Sequence, residues 1–261
     1  RVPLSGAGRL RRVAIRVDAR GAEEARARLL ALCPAGFEEL ELPGRVELAA
    51  YVDAAGEERL ARAFPQAAGS DVPEGWEDAW RAFQRPVRTG GIWIGPPWQQ
   101  PPAGEPAVVI DPGRAFGTGA HPTTRLCVEL LAAAPRGSLL DVGCGSGVLA
   151  IAAARLGYEP LVAVDDDPVA VEVTKANARA NGVVLAAFVA DAAAGTLPPA
   201  DVAVANILLG AVEAVLPPLR CRHAITSGYL AGERPVAPGW RPLERRELEG
   251  WAADLFVRES V

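Results

Sequence analysis

The chain has 261 residues, of which 50% are hydrophobic and 23% charged, with a net charge of −5 and a pI of about 5.3. Such a length supports one large or two small domains with a full core. The mild acidity argues against a general nucleic-acid binder and leaves a basic protein partner open. No run of about 18 apolar residues is present, so no membrane span is predicted. The opening R-V-P-L-S-G-A-G-R-L-R-R lacks the apolar segment of a secretory signal. The four cysteines, Cys33, Cys127, Cys144 and Cys221, are scattered without a C-x-x-C pair. This predicts free thiols in a reducing cytoplasm, with neither a disulfide nor a metal framework.

From about Leu10 to Ala63 the pattern is that of a small α+β domain. Val13, Ile15 and Val17 alternate as in a half-buried strand. Ala22 to Leu32 reads as a helix with Ala25, Leu29 and Leu32 on one stripe. Phe37 to Leu42 and Val46 to Val52 read as strands joined at Pro43-Gly44, and Glu57 to Phe64 as a second helix. The order β-α-β-β-α suggests a ferredoxin-like unit over residues 1–70. Nothing in it is catalytic in kind, so it is expected to recognise or position a substrate, or to act as a stabilising appendage. Residues 71–106 read as a linker. Trp76 and Trp80 share one face of a short helix at i and i+4, suited to pinning the two domains together. Ile92 to Ile94 is a brief strand, and P-P-W-Q-Q-P-P-A-G-E-P is an extended, semi-rigid connection.

Residues 107–261 read as a second domain. Val108 to Ile110 leads into D-P-G-R-A-F-G-T-G-A-H-P-T-T. Pro122 suits the first position of a helix, with Thr123 and Thr124 in its first turn and Leu126, Leu130 and Leu131 on its apolar face. Free N–H groups and hydroxyls at such a helix start can cradle a carboxylate. His121 is at least as well explained as a cap as by any acid–base role.

Leu139 to Asp165 is the most informative stretch. Leu139, Leu140 and Val142 form an apolar run ending in Gly143, Gly145 and Gly147. An alanine-rich helix follows to Leu156, and Leu161 to Val164 closes on Asp165. This is a βαβ unit whose turn lets a ligand approach the backbone, with an acid at the next strand end, where a ribose-binding carboxylate belongs. A dinucleotide fingerprint places a third glycine where Val148 stands. The form here, D-x-G-x-G-x-G, suits a ligand with a nucleoside and no pyrophosphate.

Beyond it, Asp167 and Pro168 cap a helix that ends at Asn181-Gly182. Val183 to Val189 is a third strand, followed by Asp191. Asp201 to Asn206 is a fourth strand ending on a polar residue, and Ile207 to Leu216 is a helix. His223 to Thr226, Trp240 to Leu243 and Ala252 to Val257 are the remaining strands.

The glycine string resembles the first motif of class I S-adenosylmethionine-dependent methyltransferases. The string I-D-P-G-R-A-F-G-T-G-A-H-P-T-T is similar to the signature of the bacterial ribosomal protein L11 methyltransferases, the PrmA type. W-E-D-A-W, G-I-W-I-G-P-P-W, D-V-G-C-G-S-G-V-L-A-I-A and V-A-N-I-L resemble the same family in the same order, over roughly residues 74–230.

The resemblance implies an α/β, doubly wound, Rossmann-like methyltransferase sheet preceded by a ferredoxin-like domain that binds the ribosomal protein. It implies S-adenosyl-L-methionine as methyl donor and lysine or α-amino groups of L11 as acceptors. Carried over residue by residue, the donor contacts are Thr124, Gly143, Asp165 and Asn206, and Asp191 stands where class I methyltransferases commonly meet adenine. No catalytic acid or base and no metal ligand is assigned. A cytoplasmic monomer without direct nucleic-acid or membrane contact is expected. A methyltransferase for another protein or a small molecule, and a nucleotide-binding module without transfer activity, remain alternatives.

The segment between Ser227 and Trp240 is short and holds Pro235 and Pro238, which leaves little room for the helix the family has before the last two strands, and R-C-R-H replaces the glycine turn usual before the fifth strand. A reduced sheet edge is therefore expected.

Overall fold

The structure is a computed structural model. It describes residues 11–18, 21–33, 37–42, 44–72, 85–111, 119–195 and 197–259. The tryptophan helix with Trp76 and Trp80, and the part of the second signature from Pro112 to Thr118, lie outside the described residues. The chain divides into two compact units, residues 1–83 and 84–261.

The first unit is a β-α-β-β-α-β sandwich: β1 (Arg11–Asp18), α1 (Ala22–Leu32), β2 (Glu38–Leu42), β3 (Arg45–Val52), α2 (Ala54–Ala63) and β4 (Ala68–Asp71). Its sheet runs β2-β3-β1-β4 with every neighbour antiparallel, the ferredoxin-like arrangement. The period-two pattern of β1 buries Val13 and Ile15 against Leu29, Leu48 and Leu60. Helix α2 starts three residues earlier than its apolar pattern suggests, because Asp53 caps it by accepting from Gly56 N at 2.8 Å. Strand β4 went unread in the sequence: its four residues, A-G-S-D, are all exposed and carry no apolar alternation.

The second unit holds two sheets. The smaller joins β5 (Val87–Thr89), β6 (Ile92–Gly95) and β7 (Ala107–Val109). The larger contains β8 (Leu139–Val142), β9 (Leu161–Asp165), β10 (Ala186–Val189), β11 (Val202–Asn206), β12 (His223–Leu230), β13 (Trp240–Leu248) and β14 (Trp251–Arg258). Its helices are α3 (Pro122–Ala133), α4 (Val148–Arg155), α5 (Pro168–Ala180) and α6 (Leu209–Val215).

The strand order is β10-β9-β8-β11-β12-β14-β13. The first five strands are parallel, and β14 runs antiparallel to both its neighbours. Chain order reverses at β8/β11, the switch point above which ligands bind in open α/β sheets. Alternation along β8 sends Leu139 to the core under α3 and α4, and Leu140 and Val142 to the core under α6.

The expected reduction of the sheet edge is not found. All seven strands are present, and β12, β13 and β14 are longer than their apolar runs suggested. As the short, proline-bearing segment predicts, there is no helix between β12 and β13. Residues 231–239 cross instead as extended chain and turns. About nine residues at about 3.3 Å each span a strand of eight, so no helix is needed to close the crossover. The crossover is pinned at its far end by Trp240, whose Nε1–H donates to Leu216 O at 3.1 Å.

Candidate functional site

The turn after β8 is built from three glycines with positive φ: Gly143 at 72°, Gly145 at 53° and Gly147 at 80°. L side chains avoid this region, which explains the spacing of the string. At Gly143 a second constraint acts, since a Cβ there would lie 2.5 Å from Ile207 Cγ2. The turn is held against the end of β9. Gly143 N and Cys144 N both donate to Val164 O, and Gly145 N donates to Asp165 Oδ2 at 2.9 Å.

Asp165 ends β9 half-buried. Its Oδ1 accepts from Asp167 N at 3.0 Å. Burial raises its pKa, and the two backbone N–H bonds oppose the rise. Each carboxylate oxygen accepts one of these bonds and retains capacity for another. The site can therefore still take two hydroxyl donors, which is what a ribose diol offers.

The start of α3 supplies the opposite wall. His121 is its N-cap: Nδ1 accepts from Thr123 N and lies 2.8 Å from Thr123 Oγ1. With Nδ1 accepting, the ring proton sits on Nε2. Burial lowers the imidazole pKa, partly countered by Glu249, and Trp251 meets the ring edge-on at 4.9 Å. His121 is thus a neutral cap, and no acid–base role is needed to explain it.

Thr124, one residue into the turn beyond Thr123, is buried, and its Oγ1 accepts from Asn206 Nδ2 at 3.4 Å. Thr124 and Asn206 are brought together across 82 residues of sequence. Asn206 ends β11 and precedes Ile207, the residue that crowds Gly143. The four sequence-derived residues therefore form one chain of neighbours over the C-terminal ends of β8, β9 and β11. It runs from Thr124 to Asn206, through Ile207 to Gly143, and through Gly145 to Asp165.

Asp191 follows β10 close by, where Ala190 N donates to Asp165 O. Its Oδ1 accepts from Ala193 N and Ala194 N, which fixes the local turn.

Three supporting residues escaped sequence reasoning. Asp141 heads the glycine string yet received no role of its own. It is 1% exposed, accepts from Ala150 N through Oδ2, and leaves Oδ1 buried with no hydrogen-bond partner among the described residues. Burial pushes its carboxyl up to about 7. Asn177 in the last turn of α5 and Asn181, its C-cap four residues on, tie the end of β7 to the site. Asn181 exchanges hydrogen bonds with both backbone groups of Val109, at 2.8 and 2.6 Å. Asn177 does the same with Asp111 and also donates to Ser146 O at 2.9 Å, inside the glycine turn. Two asparagines four apart at a helix end were the only available signal, and the helix pattern alone accounted for them.

The strand order and the glycine turn with its following acid define the second unit as a class I methyltransferase, a doubly wound Rossmann-like domain. The family model described as "Ribosomal protein L11 methyltransferase (PrmA)" matches residues 45–232. The chain belongs to this family.

A relative named ribosomal protein L11 methyltransferase, from Symbiobacterium thermophilum, is 38% identical over 201 residues, covering 71% of this chain and 66% of the relative. One from Myxococcus xanthus is 33% identical over 237 residues, covering 83% and 81%. One from Azotobacter vinelandii is 49% identical over 152 residues, covering 55% and 51%. Several of these matches thus span only about half to two thirds of the relative's length. Among solved structures, the ribosomal protein L11 methylase of Lactobacillus delbrueckii subsp. bulgaricus superposes with a TM-score of 0.60 at 27% identity, covering 67% of this chain and all of that one.

Proposed function

We propose that the protein is an S-adenosyl-L-methionine-dependent N-methyltransferase acting on lysine or α-amino groups of ribosomal protein L11. The observation that carries this reading is the convergence of Thr124, Gly143, Asp165 and Asn206 above the switch point of the sheet. The fit to the donor is physical. With no side chain at Gly143 a ligand can approach the turn backbone closely, while Ile207 fills the place a Cβ would take. Asp165 keeps two acceptor positions for the ribose hydroxyls. The N-terminus of α3 offers N–H groups and a positive dipole end to the methionine carboxylate.

The donor supplies an activated methyl group on a sulfonium. The chain's part is to position and to exclude water. Asn206 spends its Nδ2 on Thr124, which leaves its Oδ1 to accept an N–H of the incoming amine and aim the nitrogen lone pair. A lysine amine, with a solution pKa of about 10.4, must arrive neutral. Desolvation at the site favours that form, and water takes the proton before transfer, so no residue is assigned as general base.

The ferredoxin-like unit is proposed to hold the ribosomal protein, and the enzyme to work as a cytoplasmic monomer. No helix among the described residues is long and apolar enough to cross a membrane. The test is methyl transfer from labelled donor to purified L11, followed by mass spectrometry of the acceptor. Label in L11, lost in Asp165→Ala, is the expected result. Donor binding without any transfer to L11 would turn the reading toward a different acceptor.

A further inference from the structure

The edge of the large sheet opposite the candidate site carries a groove of about 1160 Å³ lined by four arginines, Arg220, Arg222, Arg241 and Arg258, against one carboxylate, Glu259. Arg222 precedes β12, Arg241 follows the first residue of β13, and Arg258 ends β14, so all three stand at one end of neighbouring strands. Arg258 N donates to Arg222 O at 2.9 Å, which locks two of these positions together.

How the arginines are held matters more than their number. Arg258 stacks over the Trp240 ring at 4.3 Å and donates to the carbonyls of Leu219 and Cys221. Arg220 donates to Leu197 O at 2.8 Å. These partners are neutral carbonyls, which orient a guanidinium without cancelling its charge. Arg222 and Arg241 are exposed, and neither is paired with a carboxylate among the described residues. Elsewhere in this unit arginines do find acids, as Arg88 does with Glu105 and Arg245 with Asp254. The net charge of −5 therefore does not describe this groove.

We propose that the groove is a docking surface for the phosphodiester backbone of a single-stranded nucleic acid, separate from the transfer site. Planar guanidinium forks match phosphate oxygens bidentately. The groove lacks a base-stacking platform because Trp240 is only 5% exposed and covered by Arg258. Recognition is accordingly of the backbone and tolerant of sequence. Binding at the opposite end of the strands leaves the donor pocket open, so nucleic acid and methyl acceptor can be held at once.

The test is fluorescence anisotropy of labelled 12-residue RNA and DNA oligonucleotides of one sequence, using the full chain, wild type and the double variant Arg222→Ala/Arg241→Ala. Four neutralised phosphates give a salt slope of about −2.8, so wild-type affinity falls about 50-fold between 50 and 200 mM salt. Two give about −1.4, so the variant loses only about 7-fold over the same range. RNA and DNA bind within about twofold of each other if the backbone is what is read. Thermal unfolding and calorimetric binding of S-adenosyl-L-methionine remain at wild-type values in the variant, which separates this proposal from the fate of the transfer reading. Equal oligonucleotide affinity and salt slope in variant and wild type would overturn it. So would displacement of the RNA by polyglutamate at the same charge concentration, or no binding by wild type at 50 mM salt.

Discussion

On one flank of the large sheet, β8, β9 and β11 each pass through a turn of five residues or fewer into a helix. On the other, β12 reaches β13 through nine residues with no helix at all. The first flank is held by local devices: positive-φ glycines, the Asp167 cap, and the Asp165 bonds to the neighbouring loops. The second is held by a buried polar network. Tyr229 donates to Asp254 Oδ2 at 2.8 Å and meets Thr226 Oγ1 at 2.7 Å. Arg245 pairs with Asp254 at 2.7 Å and donates to the Ala231 and Glu233 carbonyls of the crossover, each at 2.8 Å. The lesson is that a missing crossover helix was replaced by one arginine bonded simultaneously to the sheet and to the connecting chain.

The largest expected effect tests that replacement. Arg245→Ala leaves Asp254, 3% exposed, without its cation and frees two crossover carbonyls. Breaking a buried pair in this way costs about 3–5 kcal/mol, read as a drop in urea-unfolding free energy. A loss below about 1 kcal/mol would mean the crossover is secured by its apolar contacts instead.

The same logic applied to the first flank predicts a functional loss in place of a structural one. On the proposed donor site, Asp165→Ala takes away two charge-assisted bonds to the ribose and is expected to lower donor affinity at least about 100-fold by calorimetry. Its unfolding free energy falls by only about 1–2 kcal/mol, for the lost bonds to Gly145 and Asp167. Unchanged affinity would place the donor elsewhere.

A third measurement concerns Asp141, beneath the glycine turn. Its carboxyl ionises at about 7 in the folded protein and at 3.8 in the reference state, so the folded state holds a proton that the unfolded chain has released. The associated stability is fully present below pH 3.8 and is lost as pH rises toward about 7. Between pH 5 and about pH 6 the loss approaches about 1.4 kcal/mol. Asp141→Asn cannot titrate, so the difference in unfolding free energy between wild type and variant should change over that interval. A constant difference would show that Asp141 is already ionised.

The smallest effect sharpens the contrast between the flanks. Asp167→Ala removes the bond to Val169 N at 2.8 Å and costs about 1 kcal/mol, a fraction of the Arg245 effect. Equal losses at the two positions would erase the distinction between a locally and a remotely secured flank.

Much of the first flank could be read directly. The glycines at 143, 145 and 147 are demanded by backbone geometry, and Asp167-Pro168 and His121-Pro122 mark helix starts by capping chemistry that acts within three residues. Such signals are local and survive in a bare sequence. Asn177, Asn181 and Tyr229 could not be read, because their partners lie across the fold. Asn181 meets Val109 across 72 positions, and Tyr229 meets Asp254 across 25. Nothing in the pattern around them marks those distances.

The sequence by itself determined the βαβ unit, the order of its helices and strands, and the residue types that a nucleoside-bearing donor requires. Only the tertiary structure decided that Thr124 and Asn206 meet, that β13 and β14 nevertheless complete a full seven-stranded sheet, and that four arginines share one groove. The physical reason is range. Capping, glycine φ and apolar periodicity act between neighbours along the chain. Side-chain hydrogen bonds and charge clusters act between neighbours in space, and those neighbours exist only once the sheet has fixed its strand order.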